Sequence, residues 1–251
     1  MSTVNASYND TVVEMLLLMH MIALGVGLML FAWMIYLQRR ARRQFSMVTA
    51  VYEFDPEPSF NLSVSRPMCW LAVRSVSPES VKAALGLNHA SPCTWNEGLT
   101  GDHAFFISPR VNGWVIVTGL ALPTPTEDVD ACFIFLSTLS RKLGHVQYFY
   151  AETFSRHHGW ARLDDGCVTR GYAWAGTTVW SQGVETLPEI EAGVKTFAYG
   201  DQSATLSDVE TNFEKVPLLA ARWSLDPAGV KLNSMRQSIG IAGETAAGEN
   251  F

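Results

Sequence analysis

Hydrophobic and polar positions divide the chain into one long apolar run and a following region of shorter segments. Residues 15–37, MLLLMHMIALGVGLMLFAWMIYL, contain no charged side chain. A helix of this length rises roughly 34 Å, which is enough to cross a hydrocarbon core of about 30 Å. The run therefore predicts a single N-terminal transmembrane helix.

The charges that flank this run predict its orientation. Asp10 and Glu14 are the charged residues before it, and four arginines follow it directly, Arg39, Arg40, Arg42 and Arg43. Basic residues favour the cytoplasmic side. We therefore expect a single-pass inner-membrane protein whose residues 1–14 form a short extracytoplasmic tail and whose remaining chain is cytoplasmic.

The same region predicts two kinds of contact within the membrane. The four arginines are placed to contact anionic lipid of the bilayer. Ala23 and Gly27 are small residues four positions apart, a spacing that lets two helices approach closely. A homodimer through these two residues is therefore a further expectation.

Behind a basic juxtamembrane segment and linker, 38–66, the pattern predicts one α+β domain over 67–232. It has a mainly antiparallel sheet and two or three packed helices. The strand signals are alternating or β-branched runs bounded by turn residues, at 69–74, 103–108, 113–120, 145–154, 157–164, 167–174 and 178–183. The polar, glycine-rich segment 233–251 is predicted to be a flexible tail.

Three capping signals predict helices in this domain. Ser77 followed by Pro78 opens a short helix that Gly86 closes, since these residue types suit the two helix ends. Thr126 is predicted to cap an amphipathic helix that ends at Gly144, and Ser207 a last helix over roughly 206–223.

The stretch RHHGWARLDDGC, 156–167, has the residue density of an active site. Asp165 and Gly166 are typical of a two-residue hairpin turn, because both central positions favour positive φ. In such a hairpin His157 and His158 point to opposite faces. The two histidines therefore cannot bind one metal ion together, and the pattern favours a structural hairpin.

Composition and charge narrow the possible functions. The chain is 48% hydrophobic and 17% charged, with a net charge of −6. The segment after residue 43 has no basic run of the kind that nucleic acid requires. The four cysteines lack C-x-x-C or ligand spacing, and no nucleotide-binding loop or nucleophile elbow occurs. We therefore expect no nucleic acid, no metal and no cofactor, and the sequence leaves open whether the protein is an enzyme.

Without an assembled catalytic motif, a binding function is favoured. The segment TWNEGL predicts a loop, so Trp95, Asn96 and Glu97 are the leading candidates for contact with a protein partner. Arg170 and Trp180 are weaker candidates. The hypothesis is a membrane-anchored cytoplasmic binding module, regulatory, scaffold or immunity-like, that acts through protein–protein contact.

Two other functions remain open at this point. The first is a membrane-tethered hydrolase with a dispersed site, in which the fold brings a carboxylate close to a histidine, the candidates being His103, His145 and His158. The second is a sugar-binding domain, which requires exposed tryptophans and a position outside the cytoplasm.

Several motifs resemble a family of uncharacterised bacterial proteins. They are AVRSVSPESVKAALGL, TWNEGL, FFISPRVNGWVIVTG, RGYAWAG, WSQG and LAARWSLDP, which together span most of residues 70–227. The motifs consist mainly of turn and core residues. The resemblance implies a bacterial host and one continuous domain, and it implies no activity, ligand or catalytic residue.

Overall fold

The computed structural model describes residues 66–75, 77–100, 102–230 and 239–245, together with five single helical residues nearer the N-terminus. These five are Leu17, Met19, Met21, Gly25 and Met29. The chain divides into two compact units, 1–59 and 60–251. All of the sheet and the helices described below belong to the second unit.

The predicted transmembrane helix is contradicted. In the part of the chain that the structure describes, no helix combines the length and the hydropathy needed to cross a membrane. The longest helix given below, Leu206–Trp223, is amphipathic and carries charged side chains such as Asp208, Glu214 and Arg222. The fold class with a membrane anchor, the single-pass topology and the inner-membrane location are corrected accordingly.

Several predictions of the N-terminal region lie outside the described residues. Apart from the five single positions, this holds for the whole of 1–65. It therefore includes the tail 1–14, the lipid-contacting arginines Arg39, Arg40, Arg42 and Arg43, and the helix pair Ala23 and Gly27.

The described part of the second unit contains nine strands in one sheet. In chain order they are β1 (Cys69–Val73), β2 (Leu87–Thr94), β3 (Phe105–Ile107), β4 (Val115–Thr118), β5 (His145–Ala151), β6 (His158–Asp164), β7 (Cys167–Trp174), β8 (Thr178–Gln182) and β9 (Ile239–Thr245). The order across the sheet is β2-β9-β3-β4-β1-β5-β6-β7-β8. Each neighbouring pair is antiparallel.

Helices cover both faces of this sheet. They are α1 (Pro78–Leu85), α2 (Trp95–Leu99), α3 (Val129–Leu143), α4 (Leu187–Ala192) and α5 (Leu206–Trp223). On one face, Leu71 and Val73 pack in a core with residues of α1 and α3. On the other, Trp70 and Ala72 pack in a core with residues of α2, α4 and α5. Alternate residues of β1 point to opposite faces, so all five are buried.

Local capping explains where the longer helices begin, with two corrections. Ser77 caps α1 and Gly86 ends it in the left-handed conformation, as the sequence predicts. Asp128, rather than Thr126, caps α3, and the Thr126 hydroxyl instead lies 3.1 Å from the Tyr150 hydroxyl. The cap of α5 is Thr205, which forms a capping box with Asp208, rather than Ser207.

The hairpin of β6 and β7 forms, but its register changes along its length. Asp164 pairs with Cys167 and Leu163 with Val168, as a two-residue turn requires. An irregularity then shifts the pairing, so that Arg162 lies opposite Arg170 and Trp160 opposite Tyr172. A tight turn fixes only the pairs closest to it, because a bulge inserts an extra residue farther along.

The segment 239–245 is a strand and not part of a flexible tail. It pairs with β2 on one side and β3 on the other. Its glycines serve close packing: a Cβ at Gly240 would lie 2.5 Å from the carbonyl oxygen of Ile107. The rest of the predicted tail, 233–238 and 246–251, lies outside the described residues.

Candidate functional site

The predicted contact loop is a short helix, and its tryptophan is part of the core. Trp95 is only 3% exposed and packs edge-on against Phe106, with ring centroids 6.4 Å apart. Asn96 and Glu97 are exposed on the outside of α2. Of the three predicted contact residues, two are therefore available to a partner in this structure.

Arg170 is buried and paired within the protein. Its Nε donates to the Oε1 atom of Glu189 at 2.8 Å, and its Nη1 donates to the Gln182 carbonyl at 3.1 Å. Trp160 donates its indole N–H to the same Oε1 at 2.7 Å. These bonds fasten α4 to β6 and β7, so the role of Arg170 is structural.

Trp180 is also buried, against the backbone of the neighbouring strand. A Cβ at Gly171 would lie 2.7 Å from the Trp180 ring, and Phe133 packs edge-on with centroids 6.2 Å apart. Trp180 on β8 and Trp95 beside β2 lie near opposite edges of the sheet. The structure therefore does not bring the predicted binding residues into one site.

His145 meets a carboxylate, as the hydrolase hypothesis requires, but both of its ring nitrogens are engaged. Nδ1 donates to the Asp164 carboxylate, and Nε2 accepts from the amide of Gln147 at 2.9 Å. The same amide nitrogen donates to the Trp223 carbonyl at 3.2 Å. The arrangement holds the end of α5 against the sheet, and neither nitrogen is left to exchange a proton with a substrate.

His158 is enclosed in the core. Its Nδ1 bonds to the Arg156 carbonyl at 2.9 Å, and its ring stacks on Trp160 at a centroid distance of 6.0 Å. Burial lowers the pKa of His158 from its ordinary value to about 4. A neutral, buried imidazole of this kind supports the core rather than acid–base chemistry.

The third candidate, His103, lies beside a cysteine. Its Nε2 is 3.5 Å from the Cys93 sulfur. Burial raises the pKa of the Cys93 thiol, and the carboxylate of Glu97 raises it further. Because the thiolate is the nucleophile, this environment disfavours the reactive form. In the described ranges, no group of three or more histidine, cysteine or acidic side chains is arranged to hold a metal ion.

A surface groove lies at another place in the fold, between the segment before β1, the β5–β6 turn and α5. Its volume is about 450 Å³. Residues from three distant parts of the chain line it: Arg66, Pro67, Met68, Ala151, Glu152, Thr153, Phe154, Phe213, Glu214 and Pro217. The backbone N–H of Ala151 donates to the Met68 carbonyl at 2.9 Å, which joins two of these parts.

The β5–β6 turn presents an aromatic ring to solvent. Phe154 is 98% exposed. The Glu152 carboxylate accepts hydrogen bonds from the backbone N–H groups of Phe154 and Ser155, each at 2.8 Å, and from the Ser155 hydroxyl. The hydrogen bond from the Ser155 side chain, followed by those from the backbone, holds the pKa of Glu152 below its ordinary value. The Glu152 carboxylate therefore fixes the conformation of the turn, and the Phe154 ring on this turn stays exposed to solvent.

The opposite wall of the groove is one side of α5. Pro217 lies inside this helix and has no N–H, so the Phe213 carbonyl receives no helical hydrogen bond from position 217. The guanidinium of Arg156 lies 4.9 Å from the centroid of the Phe213 ring and 3.4 Å from the Glu210 carboxylate. The wall thus offers an aromatic ring and the exposed carboxylate of Glu214.

The remaining wall is held by an ion pair. Arg66 donates to both carboxylate oxygens of Asp226, at 3.4 and 3.1 Å. This pair ties the chain before β1 to the loop after α5.

The sequence predicted neither the groove nor Phe154, since the predicted strand ran to residue 154. Pro217 within a helical pattern was the one local signal of an irregularity there.

Comparison of the chain with protein families, with curated proteins and with solved structures gives no match. The resemblance to a family of uncharacterised bacterial proteins therefore stays a prediction.

Proposed function

We propose that this domain is a protein-binding module that captures a segment of a partner protein in the groove between the β5–β6 turn and α5. The observation that carries the proposal is Phe154, a fully exposed ring on a turn that the Glu152 carboxylate fixes. Burying such a ring contributes about 1.5–3 kcal/mol. Binding sites of proteins are commonly dominated by a few aromatic anchors of this kind.

The groove beside the ring supports the same function. Its volume of about 450 Å³ lies within the roughly 300–1,000 Å³ of small-molecule pockets, so it has room for side chains of a bound segment. Met68 is 47% exposed at its edge, and Phe213 and Pro217 form an apolar wall. A pre-formed cavity next to a fixed anchor lowers the entropy lost on binding.

A regulatory, scaffold or immunity-like role is consistent with a module that binds without transforming its partner.

The hydrolase alternative has less support. His145 meets Asp164, but Gln147 occupies the imidazole nitrogen that would act as a base. Among the described residues that line the groove, none is a histidine, cysteine or serine.

The test uses a displayed library of random peptides selected on the whole purified protein. We expect enriched peptides that bind with a measurable Kd in calorimetry, and we expect Phe154→Ala to weaken their binding about tenfold or more. Leu206→Ala is the matched control, because Leu206 is 89% exposed and does not line the groove. Absence of enrichment, or equal binding by wild type and Phe154→Ala, would contradict the proposal.

A further inference from the structure

The basic and the acidic side chains around the groove differ in whether they form ion pairs within the protein. Its basic residue Arg66 is paired with Asp226. Arg156, which supports the groove through the Phe213 ring, is paired with Glu210. These two arginines of the described part of the chain are therefore neutralised by carboxylates of the protein itself.

Two carboxylates belong to the lining, and neither forms a salt bridge with another described residue. Glu152 is occupied by the N–H groups and the hydroxyl of its own turn, which leaves its negative charge in place. Glu214 is exposed, and among the described residues it forms neither an ion pair nor a side-chain hydrogen bond. The unpaired charge of the described lining is therefore negative, and Glu214 is the carboxylate that a ligand can pair with.

These charges point to one kind of occupant. We infer that the groove, acting as the protein-binding site proposed above, selects an extended partner segment in which a lysine or arginine adjoins an apolar anchor residue. The anchor packs against Phe154 and Phe213, and the basic side chain pairs with Glu214. This inference rests on the proposed function and specifies the chemistry of its partner.

The net charge of the protein also favours such a segment. The whole protein carries a net charge of −6, so its long-range field attracts a basic partner and speeds its encounter with the groove. A negative field of this kind disfavours an acidic ligand.

The experiment repeats the random-peptide selection with wild type, Glu214→Lys and Glu244→Lys. Glu244 is an exposed carboxylate on β9, away from the groove, so its variant carries the same charge change elsewhere. We expect lysine or arginine within two positions of an aromatic or aliphatic residue in peptides enriched on wild type and on Glu244→Lys. Peptides enriched on Glu214→Lys should lack this basic residue.

Single peptides give the quantitative arm. A peptide enriched on wild type should bind Glu214→Lys about fivefold more weakly, as loss of a rim ion pair predicts. Exchange of its basic residue for glutamate should restore binding to that variant. Equal unfolding midpoints of the three proteins establish that they are folded.

The outcomes separate this inference from the proposed function. Enrichment that depends on Phe154 but shows no basic residue, or that is the same on wild type and Glu214→Lys, overturns the inference and leaves the binding site standing. No Phe154-dependent enrichment on any of the proteins overturns both.

Discussion

Glu189 joins three parts of the fold through one carboxylate. Its Oε1 atom accepts from Trp160 on β6 and from Arg170 on β7, and its Oε2 atom accepts from the backbone and hydroxyl of Thr186 at 2.6 and 2.8 Å. Glu189 and Arg170 are almost completely buried. The buried charge of Glu189 is tolerated because each of its two oxygens accepts two hydrogen bonds.

Removal of this carboxylate should destabilise the domain strongly. Glu189→Ala leaves the buried Arg170 guanidinium without its counter-charge, so we expect the free energy of unfolding to fall by about 3–5 kcal/mol. Chemical denaturation followed by tryptophan fluorescence measures the change. Glu191→Ala removes an exposed pair with Arg222 and should cost less than about 1 kcal/mol. Similar losses in the two variants would contradict the structural role of the buried pair.

His158 should make stability depend on pH. Burial lowers its folded-state pKa from 6.5 to about 4, so the unfolded chain binds the proton first as the pH falls. Stability is therefore complete above about pH 6.5 and is lost between about pH 6.5 and pH 4. The total loss is about 3 kcal/mol.

The measurement is the free energy of unfolding from pH 7.5 to pH 4 in wild type, His158→Phe and His157→Phe. His158→Phe should lose this part of the pH dependence, whereas His157→Phe, at a half-buried neighbouring position, should keep the wild-type slope. Parallel profiles for wild type and His158→Phe would show that the imidazole is not the titrating group.

Among the secondary-structure elements, those with local signals could be predicted from the sequence. The cap, proline and glycine of α1 and the apolar face of α3 lie within one short window each. Strands β5 to β8 follow one another as antiparallel neighbours, so turn residues and alternation were sufficient. The bulge that shifts Arg162 opposite Arg170 has no equivalent local signal.

Strands β2 and β9 were missed because their stability comes from distant partners. Asn88 on β2 pairs with Glu244, far along the chain. Strand β2 contains a proline and polar residues, and β9 contains two glycines, a composition that is typical of loops. At Gly240 the reason is tertiary, since any side chain would meet Ile107 and Phe106.

The candidate site was missed for the same reason. The groove combines 66–68, 151–154 and 213–217, and no local pattern relates these three segments. Trp95, the predicted contact residue, is covered by the packing of α2 on the sheet, which its own sequence neighbourhood does not reveal. The apolar run 15–37 is the opposite case, because its local pattern predicts a membrane helix and that prediction is contradicted. No helix in the described part of the chain has the length and hydropathy to cross a membrane.

In the molecule as a whole, the strands nearest the two ends of the described domain lie inside the sheet. Strand β1 lies between β4 and β5, and β9 lies between β2 and β3. Strand β2 is at the edge, and β9 is its one partner in the described sheet. Pairing of strands that are far apart along the chain costs conformational entropy of loop closure, and this cost comes before the contacts form. The sheet is therefore complete only after the segment 239–245 has been added.

Truncation tests this dependence. A chain ending at residue 238 removes β9, leaves β2 without its neighbour and uncovers Phe106, whose ring lies against Gly240. We expect the free energy of unfolding to fall by more than about 3 kcal/mol, as for loss of large core groups. The amide protons of β2 should also exchange with solvent without protection.

The matched control ends at residue 245, so that it keeps β9 and removes only the six residues after it. This chain should retain the unfolding midpoint of the chain ending at residue 251 and the protection of its β2 amides. Hydrogen exchange distinguishes local from global loss, because strands β5 to β8 form their ladders with one another and with β1. If β2 amides stayed protected in the chain ending at 238, β9 would be dispensable for the edge of the sheet, and the order in which the strands depend on one another would have to be revised.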